Sequence, residues 1–351
     1  MLARGSAPWF EAGDLAPFLA QIEALPVPSA DVASPDGDHD SHRGCRTAEA
    51  QLRSLGLVGD DPDAAPWNTL NPADWFILLR GMASRRPDLA VTLAALGTRV
   101  RSGIGDMDGQ GWALHASMTD GWLQLWSPEP PERHSRWRFL IGDDVHVIDS
   151  ALAQDASLQA CGAWLSIFPM HGAESCAPVG QQIRRWRHHN ALALVSGLLW
   201  RLLDVTRAHA ANRPMFGRRL IDFPTVQLRL LRLHLQLLTA EELADAAFAD
   251  ETCEPGAALL ELADALRVDA QQICGGSGYM APSEFAAVLG WLECAEQMLR
   301  ATWPANAGRP LDACAMRQCA RDRLRRAGVP LALHAAQVTR TAGAGAAQVA
   351  N

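Results

Sequence analysis

The chain holds one tyrosine, Tyr279, among its 351 residues, and it has no Cys-x-x-Cys pair, no long apolar run and no basic block. Each absence excludes something. Eight cysteines, at 45, 161, 176, 253, 274, 294, 314 and 319, are scattered without ligand spacing, which argues against a zinc site and a disulfide framework alike. They read as reduced, mostly buried thiols. Without a run of about 18 apolar residues, no membrane span is expected. The first residues lack a basic start followed by an apolar core, so a cytoplasmic location is the expectation. A formal net charge of −8 with no clustered basic residues speaks against a nucleic-acid surface, since phosphate affinity needs Lys and Arg in a patch. The one short basic run, Arg184, Arg185 and Arg187 with His188 and His189, reads as a solvated helix start. Asp36 to His42 could offer oxygen and nitrogen ligands, but the calcium-loop spacing is missing and a solvated loop without metal is expected.

What is present is enough apolar matter, 48% of residues, to bury a large core. The expected class is mainly α. Residues 1–108 read as an N-terminal helical region with a flexible stretch at 26–48, rich in Pro, Asp, Ser and Gly. A helix starts near Asn71 to Asp74, with Trp75, Leu78, Leu79 and Met82 on one face, and another follows Pro87. Residues 109–180 read as a short antiparallel β domain: aromatic and β-branched segments at Trp112–Met118, Trp122–Trp126, Trp137–Ile141 and Val145–Ile148 are separated by turn-forming residues. From 181 to 305 the pattern is that of a C-terminal four-helix bundle, and 306–351 is a tail without functional signal.

Two motifs carry chemistry. Arg213-Pro214-Met215-Phe216-Gly217 follows the first bundle helix, and Gln272-Ile273-Cys274-Gly275-Gly276-Ser277-Gly278-Tyr279 ends the third. Three glycines in four residues let a backbone approach a bulky anionic group, and an arginine offers a flat donor fork that fits a pyrophosphate. The blander reading is that Gly275 to Gly278 merely ends one helix and starts the next. Gly276-Ser277-Gly278 is no nucleophile elbow, because no strand leads into it.

Together, in this order, the motifs resemble those of the acyl-CoA dehydrogenase family. The match runs through Arg213, Phe216, Gly217, Phe223, Gln272, Gly275, Gly276, Gly278 and Tyr279 without a gap inside either block. The resemblance implies FAD as cofactor and an acyl-CoA thioester as substrate, desaturated by α-proton removal and β-hydride transfer. It implies that Arg213 bonds the FAD pyrophosphate, that Phe216 packs on the cofactor, that Gln272 hydrogen-bonds it, and that the Gly275-Gly276 backbone approaches its phosphates and ribose.

The departures are as informative. Pro224 stands where the family commonly has a cofactor-bonding Gln, and the two positions from which members supply the catalytic base fall at Leu299 and Arg187. Neither accepts a proton at neutral pH, and Glu296, one turn away, is the sole weak candidate to replace it. In the family the retained residues reach the flavin of a neighbouring subunit. The expectation is therefore an oxidoreductase component, the base-lacking subunit of a heteromeric acyl-CoA dehydrogenase whose FAD is shared across an interface. Two alternatives remain: a homo-oligomeric FAD enzyme with an unrecognised base, and a flavin-free helical scaffold or interaction protein.

Overall fold

A computed structural model describes residues 15–25, 48, 50–57, 70–101, 110–127, 134–141, 144–159, 163–178, 181–250, 253–276 and 283–302. Its helices are α1 (Leu15–Ala24), α2 (Pro72–Arg85), α3 (Pro87–Arg101), α4 (Gln181–Asn212), α5 (Pro224–Asp250), α6 (Cys253–Cys274) and α7 (Glu284–Ala301). Helix starts obey local rules. The Asn71 side chain accepts from the amides of Ala73 and Asp74, both at 2.9 Å, and Pro72 takes the first helical position, where its missing N–H costs nothing. Ser283 caps α7 by accepting from the Ala286 amide at 3.1 Å. The reading of 71–82 and of the run after Pro87 as helices holds, although α3 runs past Gly97 to Arg101.

Helix α4 is the axis of the molecule. Every residue from Trp186 to Leu199 is buried, because α2 and α3 pack on one side of it and α5, α6 and α7 on the others. Trp75 fixes α2 against it: its indole N–H donates to Asn190 Oδ1 at 2.7 Å and its ring lies 4.9 Å from that of Trp186. At Gly197 the two helices come so close that an added Cβ would stand 2.3 Å from the Arg80 carbonyl oxygen, so only glycine fits. Arg86, 3% exposed, ties the N-terminal segments in by donating to Asp88, to Gln51 and to the Leu25 carbonyl.

Between α3 and α4 the chain makes two four-stranded sheets where a single small antiparallel sheet is expected from sequence. One has the order β1 (Gln110–Trp112), β4 (Arg136–Ile141), β5 (Asp144–Asp149), β8 (Glu174–Pro178); the other runs β2 (His115–Thr119), β3 (Trp122–Ser127), β7 (Ala163–Pro169), β6 (Asp155–Gln159). The pairings are antiparallel except β1 with β4, which is parallel. Asp120 and Gly121, at φ 52° and 83°, close the β2–β3 hairpin in the left-handed turn that Asp-Gly favours. Leu123, Leu125 and Phe168 of one sheet meet Trp137, Phe139 and Ile148 of the other in a shared core. The far face of the first sheet, through Trp112, Leu140 and Val145, packs on Ile183 of α4. These sheets therefore sit against the N-terminal part of α4, and the two motifs lie beyond its C-terminal end.

Candidate functional site

The first motif begins where α4 stops. The Arg213 amide donates to the His209 carbonyl at 3.0 Å, and its own carbonyl accepts from Leu220 at 2.8 Å, closing a small loop. Inside that loop β9 (Pro214–Met215) and β10 (Arg218–Arg219) form a two-stranded hairpin. Its tip is Phe216-Gly217, at φ 50° and 78°. Glycine accepts such angles freely, whereas a phenylalanine there is strained by roughly 1 kcal/mol. Phe216 is also 86% exposed, so nothing among the described residues compensates either cost. Beyond the hairpin, Asp222 accepts from the Arg219 guanidinium, which holds its carboxyl below the usual range, and Arg218 lies over the Phe223 ring at 5.2 Å. The Phe223 carbonyl then accepts from Val226 and Gln227 to start α5, with Pro224 exposed at its first position.

The second motif ends α6. Gln272 is exposed on the last turn, Ile273 and Cys274 are buried, and Gly275 and Gly276 are exposed in a short turn. Gly275 has φ 58°, the left-handed conformation that ends helices, so the blander reading is sound at that position. It does not account for Gly276. A Cβ built on either glycine meets nothing within 4 Å, which leaves a flat, open backbone face. Ser277 to Tyr279 lie outside the described residues.

The structure brings the two motifs together. Burial pushes the Cys274 thiol up to about 11, while a hydrogen bond with Thr206 and the nearby charge of Arg213 pull it back. Thr206 and Cys274 thus join the end of α4 to the end of α6. The link of Thr206 to Cys274 has no local signal in the sequence. Arg213, Phe216, Gln272, Gly275 and Gly276 all face solvent at this one end of the bundle. Donor fork, aromatic plate, amide and bare backbone are what a dinucleotide pyrophosphate can use, provided it arrives from outside.

The interior positions behave differently. Arg187 is no solvated residue: it is 5% exposed, faces His115 of β2, and burial alone lowers its pKa to about 10, leaving it charged at neutral pH. His188 and His189 are buried as well, which corrects the reading of a solvated helix start for these three residues, while Arg184 is half-buried and Arg185 exposed. Desolvation lowers both to about 4 and lowers His115 to about 3, so all three are neutral at pH 7. The physical reason is that α4 is enclosed on every side from Trp186 to Leu199, so even polar residues in that stretch are forced inside. Leu299 is fully buried in the main core. Glu296, the weak base candidate, is 1% exposed, with Arg300 at 3.6 Å from one oxygen and no partner for the other among the described residues. Burial raises its pKa, against the charges of Arg267 and Arg300.

A cleft of about 420 Å³ lies elsewhere, lined by Glu23, Arg80, Arg85, Arg201, Asp204 and Glu241 with other side chains; it includes neither the motif residues nor Glu296. Both charge signs alternate around it. No three His, Cys, Asp or Glu side chains converge as a metal site among the described residues, and no described helix is long and apolar enough to cross a membrane.

Comparison with known proteins agrees with the motifs. The family model of the acyl-CoA dehydrogenase C-terminal domain matches residues 179–298. Among solved structures, butyryl-CoA dehydrogenase from Megasphaera elsdenii is similar with a TM-score of 0.53 at 13% identity, over 86% of this chain and 98% of that one. Glutaryl-coenzyme A dehydrogenase in its glutaryl-CoA complex is similar with a TM-score of 0.51 at 15% identity, over 93% and 97%. The Tcur3481-Tcur3483 steroid ACAD is similar with a TM-score of 0.50 at 17% identity, over 90% and 98%. None of the curated proteins matches the chain in sequence. At such identities the structures establish the fold, and it is that of the acyl-CoA dehydrogenases.

Proposed function

We propose that this chain, whose bundle is an acyl-CoA dehydrogenase C-terminal domain, works as the base-lacking subunit of a heteromeric acyl-CoA dehydrogenase. In this reading Arg213, Phe216, Gln272 and the Gly275-Gly276 backbone are offered to FAD held by a neighbouring subunit. When bound, FAD supplies the hydride acceptor for α,β-dehydrogenation of an acyl-CoA thioester. The chain's own contribution is binding. Arg213 pairs with phosphate oxygens, Gln272 donates or accepts a hydrogen bond, the bare glycine face allows close approach, and Phe216 covers an apolar edge.

The observation that carries the reading is Phe216: a strained, 86% exposed aromatic at a hairpin tip, three residues after Arg213, whose charge reaches Cys274 at the end of the second motif. Two features of the interior support the missing base, since Leu299 is sealed in the core and Arg187 is a buried cation. A general base contributes about 10²- to 10⁴-fold in rate, so a chain without one depends on its partner for turnover. The reading is also supported by the fold likeness to a protein named for two components, the Tcur3481-Tcur3483 steroid ACAD. Co-expression with a catalytic acyl-CoA dehydrogenase homologue, followed by purification and flavin quantitation, tests it. A complex with fewer flavins than chains, and a colourless chain alone, are expected. One flavin per chain in the isolated protein would overturn the reading.

A second reading, a homo-oligomeric enzyme, is favoured by one observation. Glu296 is a buried carboxyl with a raised pKa, the kind of group general bases are made from. If the isolated chain were yellow and its flavin bleached on adding an acyl-CoA, and if Glu296→Gln abolished that bleaching, this second reading would replace the first.

A further inference from the structure

Arg86 and Arg187 are both buried, yet they are partnered in opposite ways. Asp88 grips the fork of Arg86, with one oxygen 3.0 Å from Nε and the other 2.8 Å from Nη2, while Gln51 and the Leu25 carbonyl accept from Nη2 and Nη1. Arg187 has no such company. Among the described residues it makes neither a hydrogen bond nor an ion pair, and burial alone accounts for its lowered pKa, with no carboxylate close enough to oppose it. A guanidinium taken out of water without a counter-charge is strongly unfavourable, and a water molecule can solvate it without neutralising it.

The wall that faces Arg187 is short of acceptors too. His115, at the start of β2, feels the Arg187 charge, and the Nδ1 of its imidazole is buried with no hydrogen-bond partner among the described residues. Trp126 is its cross-strand partner on β3, so the two side chains share one face of the sheet, and the indole N–H is likewise buried and unpartnered. Leu114 and Trp126 belong to the main core, which makes these surroundings apolar. A cation and two potential donors around one strand start lack the same thing, a negatively charged acceptor.

We propose that Arg187, with His115 and Trp126, is a receptor for a small organic carboxylate, whose two oxygens take the planar guanidinium fork as Asp88 takes that of Arg86. His115 donates in the tautomer that carries its proton on Nδ1, and the Trp126 indole N–H is the remaining donor of that wall. A halide supplies the charge but not two oxygens in one plane. A phosphate dianion carries more charge than one guanidinium neutralises in apolar surroundings. The receptor does not depend on the flavin reading, because none of its residues belongs to the exposed motifs. It gives the expected base position an opposite role, holding an acid where a base would act.

Sodium acetate is the probe, added to the full chain at pH 7 with sodium chloride keeping the ionic strength constant. Acetate should raise the urea midpoint of the wild-type chain saturably and leave that of Arg187→Met unmoved. Without acetate the same variant should be the more stable chain, because it removes a buried charge that has no counter-charge. Arg187→Lys keeps the charge and loses the fork, so about tenfold more acetate should be needed for the same shift. Trp126→Phe, which deletes the indole N–H and keeps an aromatic ring, should raise the acetate requirement about three- to tenfold. A wild-type chain indifferent to acetate overturns the proposal, and so does an equal gain from sodium chloride alone or an acetate response that survives in Arg187→Met. An Arg187→Met chain that is less stable than wild type or does not fold marks a purely structural arginine and overturns it as well. No flavin enters these measurements, so their failure leaves the flavin reading standing.

Discussion

The two ends of α4 have been treated in opposite ways. At its C-terminal end, Arg213, Phe216 and the glycines of the adjoining α6 turn stay exposed and spend strain to do so; toward its N-terminal end, Arg187, His188, His189 and the facing His115 are sealed under sheets and helices. The surface end keeps a geometry that has no use inside the monomer. The interior end keeps a cation and three histidines whose protonation burial opposes, and one expected base position there holds the sealed Leu299. The contrast teaches that binding and base catalysis are separable within one bundle. On the proposed reading, the half-site on the surface is held for a partner, whereas an interior position without chemistry fills with whatever packs.

The strongest attempt to break this contrast is to restore a carboxylate inside. Leu299→Glu buries an unpaired acid in a fully enclosed site and is expected to cost at least about 3 kcal/mol, read as a lower urea midpoint, with no gain of activity. A stable, active Leu299→Glu chain would show that the interior is still a working site.

Next in size is the pH response of the interior. His188 and His189 at about 4 and His115 at about 3 lie below the unfolded value near 6.5, so between those limits the unfolded chain binds protons that the folded chain refuses. Their stabilising effect is fully present above pH 6.5 and is lost as pH falls toward 4, opposed by Glu296, whose pKa is raised. Urea midpoints measured from pH 7 to 4 should fall steeply, and His188→Gln should remove about a third of the slope. A flat profile would mean that these histidines are not enclosed.

The surface end gives the mirror result. Arg213→Leu should leave the unfolding midpoint of the isolated chain within about 0.5 kcal/mol, as expected for an exposed residue. It should nevertheless weaken FAD retention in the two-subunit complex about 10- to 100-fold, the worth of a charge-assisted pair. Equal flavin content in the variant complex would remove Arg213 from the site.

The smallest effect sharpens the comparison most. Phe216→Asn relieves the left-handed strain and installs the Asn-Gly pair that such a turn prefers, so the isolated chain should gain about 0.5–1 kcal/mol. The complex should lose flavin at the same time. A change that stabilises the monomer and weakens the assembly is the signature of a residue held for a partner.

Much of this was legible locally. Helix starts at Asn71-Pro72 and Pro87, the Asp-Gly hairpin, the four bundle helices and both motifs follow from capping, turn and periodicity rules that act over a few residues. The run Leu228 to Leu238 alternates like a strand, but it lies within a helix, α5, that spans Pro224–Asp250. Less legible was the β region. That β1 pairs in parallel with β4, and that strands β6 to β8 complete two sheets, depends on long-range register that no short segment encodes.

The sequence by itself determined which residues could touch a flavin and that two expected base positions hold Arg187 and Leu299, because residue chemistry is local. Only the tertiary structure decided that Thr206 and Cys274 join the motifs, that Glu296 and the basic run at Arg187 to His189 are buried, and that Phe216 is not. Burial belongs to the neighbours a residue acquires from distant parts of the chain: enclosing α4 among five helices turns polar positions inward, and ending it at a strained hairpin turns an aromatic out.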